Sequence, residues 1–126
     1  MISEEKLRPF ARARFLSLES YRKNGMAVRT PLWFVEEGGV LYVSTPADSG
    51  KVKRLRRNPR VRIVPSNFRG NPRGDWVEAA ARFEEAPAAA RAQELLIRKY
   101  GWQKRLINFF GRLSGRTSVV ISLRIP

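Results

Sequence analysis

Residues 40–65 read VLYVSTPADSGKVKRLRRNPRVRIVP, and this stretch decides the fold. The segment 40–45 is short and rich in β-branched and aromatic residues, as strands are. An Asp-Ser pair at 48–49 can cap a helix that continues to about Arg57, where an Asn-Pro pair ends it. The alternating residues 60–65 then predict another strand. This is the one strand-helix-strand unit that the sequence pattern contains, so a doubly wound parallel sheet is not expected.

The segments on either side of this unit alternate between apolar and polar residues, as half-buried strands do. Turn residues separate them, including an Asn-Gly pair at 24–25 and a Glu-Glu-Gly-Gly turn at 36–39. Six strands with small helices predict a mainly β fold, an antiparallel closed or half-closed barrel formed by one domain over residues 1–126. The further strands are expected at 15–21, 26–35, 76–83 and 119–125, and further helices at about 87–100 and 103–112.

The residue types that the chain lacks exclude several kinds of chemistry. Its 126 residues contain no Cys and no His. A disulfide framework, a zinc finger, a thiol nucleophile and an imidazole base are therefore excluded. The formal net charge of +14 predicts a polyanionic partner: a nucleic acid, an anionic surface, or a ligand with phosphates and carboxylates. The alternative source of this charge is a compositional bias toward arginine.

The sequence contains no apolar run of the roughly 20 residues that a membrane-spanning helix needs. Residues 1–20 also lack the apolar core of a signal peptide, because Arg8, Arg12, Arg14 and Glu19 interrupt them. The expectation is a cytoplasmic protein with no membrane partner. The apolar stripe within residues 103–113 is then interpreted as a lid or as a dimer-packing helix rather than as a membrane anchor.

The densest charge lies in residues 51–62, which hold seven basic residues and no acid. If 49–57 is helical, its first turn offers free backbone N–H groups to an anion. Ser49 can donate its hydroxyl, Gly50 allows close approach, and Lys51 adds a compact charge, so a phosphate fits there. A solvated basic helix and a phosphate-contacting strip for nucleic acid are the alternatives. No segment has the pattern of a helix-turn-helix or of an RNA-recognition strand, which makes nucleic acid the weaker alternative.

Several motifs in a fixed order resemble one known superfamily. They are NGMAVRTPLWF at 24–34, LYVST at 41–45, DSGKVKRL at 48–55, NPRV at 58–61, RGNP at 69–72, VEAAAR at 77–82 and KYGW at 99–102. This order is similar to that of the pyridoxamine 5'-phosphate oxidase-like split β-barrels of the FMN-binding type, and within them to the branch of F420-dependent oxidoreductases. The resemblance covers nearly the whole chain after the first helix.

The resemblance implies a homodimer with two equivalent sites between the subunits, each holding a flavin-type cofactor. Ser49 and Lys51 match the turn that grips the cofactor phosphate, and Gly50 lies between them. Pro31 and Trp33 match the segment along the tricyclic ring. The remaining matches are Ser44 and Thr45 beside the ribityl chain and phosphate, and Arg54 and Arg57 for the phosphate or a longer acidic tail.

The charge favours the deazaflavin F420 over FMN, because the F420 tail carries a phosphate and several glutamates. Pyridoxamine phosphate oxidation itself is not expected. The basic residues that the true oxidases place on the second strand correspond here to Thr30 and Val35, and their substrate-binding His is absent.

The leading functional hypothesis is hydride transfer between F420 and a small organic acceptor, which needs positioning more than acid-base residues. A flavoprotein that binds FMN, a carrier that binds flavin or F420 without turnover, and a basic nucleic-acid-binding protein are the alternatives. The sequence does not choose a proton donor among solvent, Tyr42, Tyr100 and Ser66. Trp76 and Trp102 are interpreted as core or dimer contacts rather than as pocket walls.

Overall fold

The computed structural model describes residues 2–126, with side chains from Glu4 onward. Short helices and turns alternate with strands along the chain. The helices are α1 (Ile2–Leu7), α2 (Gly50–Arg57), α3 (Ala88–Tyr100) and α4 (Trp102–Leu113), with one 3₁₀ turn at Arg8–Phe10. The strands are β1 (Phe15–Tyr21), β2 (Ala27–Leu32), β3 (Val35–Glu37), β4 (Val40–Pro46), β5 (Arg60–Ser66), β6 (Val77–Glu84) and β7 (Ser118–Arg124).

All seven strands belong to one sheet in the order β2-β1-β5-β6-β7-β4-β3, and every pair of neighbours is antiparallel. The predicted mainly β, antiparallel class is therefore confirmed. The α2 unit connects β4 to β5, which are not adjacent in the sheet, so no parallel βαβ pair forms.

The strand count is seven rather than the six predicted, because residues 26–35 do not form one strand. β2 ends at Leu32 and β3 begins at Val35. Between them the backbone of Phe34 bonds to α3: its N–H donates to the Tyr100 hydroxyl at 3.0 Å, and its carbonyl accepts from Lys99 Nζ at 2.9 Å. These side chains satisfy backbone groups that a continuous strand would pair with another strand. The strand then continues through Glu37, so the turn is tighter than the Glu-Glu-Gly-Gly segment predicts.

The main core lies on the inner side of this curved sheet. Val77, Ala79, Ala81 and Phe83 all belong to it or pack against it, which confirms the alternation read from β6. α2 contributes two buried residues, Val52 and Leu55. Because these are three positions apart, they share one helical face, and the basic residues of α2 lie on the others.

α3 packs against the outer side of β3 and β4 through a second, smaller cluster of Val35, Leu96 and Tyr100. α4 follows after Gly101 and contacts α3. In the part of the chain that the structure describes, no helix has both the length and the apolar character needed to cross a membrane. Six large apolar residues of α4 are nevertheless exposed to solvent: Trp102, Leu106, Ile107, Phe109, Phe110 and Leu113.

Candidate functional site

The start of α2 has the geometry that the sequence predicts. Ser49 is the N-cap residue in extended conformation, and its Oγ accepts a hydrogen bond from Val52 N at 3.4 Å. The turn before it closes through a bond from Ser49 N to Pro46 O at 3.1 Å. First-turn N–H groups have no acceptor within an α-helix, so this end of α2 can receive an anion.

Lys51 differs from the other lysine of α2, Lys53, in its surroundings. Lys53 is exposed, whereas Lys51 is partly buried and makes no hydrogen bond or ion pair with any residue that the structure describes. Burial and the neighbouring Arg54 guanidinium both lower the pKa of Lys51 below its usual value. An anion at the start of α2 would compensate this unpaired charge.

Arg54 and Arg57 connect α2 to β1. Arg54 Nε donates to Ser20 Oγ at 2.8 Å, and Arg57 donates to the Tyr21 carbonyl at 3.3 Å. Burial, followed by the charges of Arg22 and Arg57, lowers the pKa of Arg54. Gly50 leaves room for this arrangement, since a Cβ there would lie 3.0 Å from an Arg54 guanidinium nitrogen. Arg54 is thus partly engaged by the protein, and Arg57 remains exposed.

A buried carboxylate neutralises part of the basic surface, which the sequence pattern does not reveal. Glu19 is 1% exposed and accepts from Arg62 at 2.7 and 3.0 Å, from Arg29 at 2.8 Å, and from the Tyr21 hydroxyl at 2.7 Å. Hydrogen bonds from Arg62, Tyr21 and Arg29 lower the pKa of Glu19 to about 2 despite its burial. Arg62, which ends the basic run, is therefore a partner of Glu19 rather than a free cation. The sequence offers one sign of this pairing: Glu19 is an acidic residue within a strand whose neighbouring residues are buried.

Ser44 and Thr45 lie at the end of β4 and line a cavity of about 1170 Å³ between the sheet and the two long helices. Ser44 Oγ accepts from Gln93 Nε2 of α3 at 2.8 Å. Thr45 Oγ1 is buried and has no hydrogen-bond partner among residues 4–126. Ser44 is thus engaged by the protein, while the Thr45 hydroxyl is unpaired but has almost no surface that a ligand could contact.

Pro31 and Trp33 precede α2 in the chain, and the contacts that follow are with other parts of the fold. Pro31 pairs with Ser17 of β1 and packs near Gly70. Trp33 stacks on Tyr100, with ring centroids 4.4 Å apart and planes within 7° of parallel. The predicted cofactor residues therefore occupy three places: the start of α2, the end of β4, and the bend between β2 and β3.

Two of the three candidate proton donors have structural partners. The Tyr100 hydroxyl donates to Arg14 O at 2.7 Å, with Phe34 O as a second acceptor at 2.9 Å. Burial raises the pKa of Tyr100 to about 12. Ser66 is buried and donates to Asn67 O at 3.0 Å. Tyr42 is partly buried, and its hydroxyl makes no hydrogen bond with a residue that the structure describes.

The two tryptophans outside the β2–β3 bend have different surroundings. Trp76 lies beneath two guanidinium groups, with Arg29 at 4.6 Å and Arg62 at 5.3 Å from its ring centroid. Trp102 is 71% exposed at the start of α4. Trp102 is therefore not a core residue of the chain.

Many solved structures share this architecture, although their sequences have low identity to that of this chain. The heme storage protein HutZ from Vibrio cholerae has a TM-score of 0.74 and 14% identity, over 98% of this chain and 89% of its own. The conserved hypothetical protein Rv2991 from Mycobacterium tuberculosis has a TM-score of 0.73 and 20% identity, over 99% and 81%. An F420 reductase has a TM-score of 0.61 and 19% identity, over 95% and 92%. These similarities establish the fold.

No curated protein matches the sequence. The family described as pyridoxamine 5'-phosphate oxidase matches residues 3–122, which is nearly the whole chain. This match agrees with the antiparallel sheet and with the split-barrel structures of similar shape. The chain therefore belongs to the pyridoxamine 5'-phosphate oxidase family and has its flavin-binding split-barrel fold.

Proposed function

We propose that this protein is an oxidoreductase that binds the deazaflavin F420 and transfers a hydride between it and a small organic acceptor. The observation that carries the proposal is Lys51: a partly buried ammonium group, without an anionic partner in the described chain, at the capped start of α2. A cofactor phosphate supplies the missing anion.

The residues at this end of α2 fit a phosphate. The backbone N–H groups of the first turn and the Ser49 hydroxyl can donate to phosphate oxygens, and Lys51 adds charge. Gly50 presents no side chain that would block the approach.

The distribution of the remaining charge supports F420 over FMN. Arg29 and Arg62 share Glu19, which cancels one of their two positive charges. Lys53, Arg56 and Arg57 stay exposed on α2. A tail of several glutamates would be attracted to them, whereas FMN has no group that reaches so far beyond its phosphate.

When bound, the cofactor supplies the hydride and the reactive ring. The chain's own residues then bind and orient the cofactor and exclude water, since the sequence provides neither His nor Cys for acid-base or nucleophilic work. Tyr100 does not fit the role of proton donor, because its hydroxyl is engaged by backbone carbonyls and its pKa is about 12. Solvent and Tyr42 remain as the sources of a proton.

We also propose that the working unit is a homodimer with its sites between the subunits. The exposed apolar residues of α4 support this proposal, because monomeric soluble proteins rarely leave so many large apolar side chains together in water. A second subunit would cover those that do not line the cavity beside the helix, which are Trp102, Leu106, Phe109 and Leu113.

The test is a titration of the purified protein with F420 and with FMN, followed by cofactor fluorescence. We expect F420 to bind at micromolar concentration or tighter, and more tightly than FMN. Lys51→Met should weaken F420 binding by about 10- to 100-fold, as expected for the loss of a charge-assisted hydrogen bond. Lys23→Met, which removes the same charge from the exposed turn between β1 and β2, is the matched control and should have a small effect.

Failure of both cofactors to bind would reject the proposal. Equal losses in the two lysine variants would reject the α2 site while leaving cofactor binding in place. Tight F420 binding without hydride transfer to any of a broad panel of acceptors would replace the oxidoreductase with a cofactor carrier.

A further inference from the structure

We propose that the cavity beneath α4 is a second ligand site, distinct from the start of α2, which takes a small organic anion with an apolar body. Lys104 holds the anionic group in this proposal. The inference does not depend on F420, because it rests on side chains of the cavity wall that have no partner among the residues that the structure describes.

The cavity lies between the ends of β4 and β7 on one side and α3 and α4 on the other, and its volume is about 1170 Å³. This volume is enough for a small organic molecule. On α4 the lining residues Lys104, Ile107, Asn108 and Gly111 occupy positions i, i+3, i+4 and i+7, so they share the inner face of the helix. The inner face of α4 therefore forms one wall of a space that the protein does not fill.

Lys104 is the first observation that points to a ligand. It is only 6% exposed, yet its Nζ makes no hydrogen bond or ion pair with any residue from Glu4 to Pro126. Burial lowers its pKa below the usual value. Charged side chains are rarely buried without a partner, because the loss of hydration is not repaid. A carboxylate, sulfonate or phosphate in the cavity would provide that partner.

Gln93 is the second, independent observation. Its amide nitrogen donates to Ser44 Oγ at 2.8 Å, which fixes the direction of the amide group. Its Oε1 is buried and accepts no hydrogen bond from residues that the structure describes. Oε1 has almost no surface open to the cavity, so a ligand donor would reach it only if the Gln93 side chain turned. The expected ligand is therefore defined by its anionic group.

The remaining lining residues set the character of the ligand. Ile97, Ile107 and Phe110 provide apolar surface, while Arg112 and Arg116 add positive charge beside the opening. No Asp or Glu lines the cavity. Arg116 is already paired with Asp48 at 3.1 Å, which leaves Lys104 and Arg112 for an anion. An apolar molecule with a negative charge is complementary to this set, whereas a cation or a sugar is not.

The experiment compares two fluorescent probes with related apolar bodies in the absence of F420. One is 1-anilinonaphthalene-8-sulfonate, which carries an anion and an N–H donor; the other is uncharged N-phenyl-1-naphthylamine. We expect Lys104→Met to raise the dissociation constant of the sulfonate about tenfold or more and to leave the uncharged probe nearly unchanged. Arg105→Met is the matched control: Arg105 is the exposed neighbour on α4 and does not line the cavity.

A cavity-filling variant keeps the proposal testable if Lys104→Met does not fold. A Cβ at Gly111 would meet no atom within 4 Å, and Gly111 lines the cavity, so Gly111→Leu should enter the empty space. Leucine also has a higher helix propensity than glycine, so this variant should fold. We expect it to abolish high-affinity binding of both probes.

Three results would overturn the proposal. If Lys104→Met and Arg105→Met weaken the sulfonate equally, or if Gly111→Leu changes nothing, the probe binds to the exposed side of α4. If F420 displaces the sulfonate competitively, the cavity belongs to the cofactor site and no second site exists.

Discussion

α2 and α4 are both short, basic, amphipathic helices, but they are oriented in opposite ways. α2 buries Val52 and Leu55 and keeps most of its basic residues in solvent. α4 buries one residue, the cation Lys104, and exposes its apolar stripe. Similar sequence patterns thus give one helix whose apolar face is covered within the chain and one whose apolar face is not.

The difference shows that amphipathicity alone does not determine which face of a helix meets its own protein. α2 packs against β1, and its apolar face contributes Leu55 to the main core. α4 follows α3 directly and packs mainly against α3, beside the cavity. Its outer face, formed by Trp102, Leu106, Phe109 and Leu113, is therefore available to a second subunit.

The largest expected effect compares how much a buried leucine of α2 and an exposed leucine of α4 contribute to the free energy of unfolding. Leu55 is 2% exposed and Leu106 is 45% exposed. Leu55→Ala should lower the free energy of unfolding by about 3 to 4 kcal/mol, because it leaves a cavity in the main core. Leu106→Ala should lower the free energy of unfolding of the monomer by about 1 kcal/mol or less. Urea unfolding of both variants at low protein concentration measures the difference, and equal losses would contradict the comparison.

The next effect concerns the strand to which α2 is attached. Glu19 has a pKa of about 2 in the folded protein against 4.5 as an ordinary glutamate, so its stabilising contribution is present above about pH 5. It is lost as the pH falls toward 2, with a total of about 3 kcal/mol. Chemical unfolding of the wild type between pH 6 and pH 2 measures this loss.

Glu19→Gln supplies the control for the acid effect. The variant should be less stable than the wild type at pH 6, and the difference between the two proteins should shrink as the pH falls. Glu85→Gln, at an exposed glutamate, should follow the wild-type profile throughout. A difference between Glu19→Gln and the wild type that does not change with pH would contradict the assignment.

A smaller effect is expected on assembly through α4. Leu106→Glu combined with Phe109→Glu places two charges on the outer face, and we expect the dissociation constant of the dimer to rise about 10- to 100-fold. Sedimentation equilibrium measures it. Gln103→Glu and Arg105→Glu, at exposed positions outside that stripe, are the controls for added negative charge. A double variant that dimerises as the wild type does would show that α4 is not the contact.

The last effect lies on the alkaline side, at the junction of α3 with the β2–β3 bend. Burial, and to a lesser degree the charge of Arg14, lowers the pKa of Lys99 to about 8 against 10.5 for an ordinary lysine. The unfolded chain therefore binds more protons than the folded one between these values, and the Lys99 contribution to stability rises with pH. Thermal unfolding measures this effect. Between pH 8 and pH 10, we expect the stability of the wild type to rise relative to that of Lys99→Met. A constant difference would contradict the lowered pKa.

The sequence predicts the regular parts of this molecule better than the parts that depend on distant contacts. Alternation identifies the strands, and the Asp-Ser pair before α2 marks the cap, because both signals are local. The break after Leu32 depends on Tyr100, 66 positions beyond Phe34, and no local pattern reports such a contact. The pairing of Arg62 with Glu19, 43 positions apart, has the same origin.

The candidate site shows the same division. Ser49, Gly50 and Lys51 follow from a local helix-start pattern, and the structure places them as a helix N-terminus. The sequence does not identify the burial of Lys104 or the unpaired oxygen of Gln93, because each depends on how α3 and α4 pack over β4. The roles of Pro31 and Trp33 stay predictions that require a bound cofactor.

The Tyr100 hydroxyl has a consequence for the order in which the chain folds. It joins Arg14 and Phe34, near the beginning of the chain, to the last residue of α3, across 86 and 66 positions. Contacts so distant in sequence form slowly, because a long loop must close first. During synthesis, the first hairpin can form early, but the bend that starts β3 must wait until residue 100 has left the ribosome. We therefore expect a nascent chain that ends before α3 to have β1 and β2 paired while the β2–β3 bend is still unfixed.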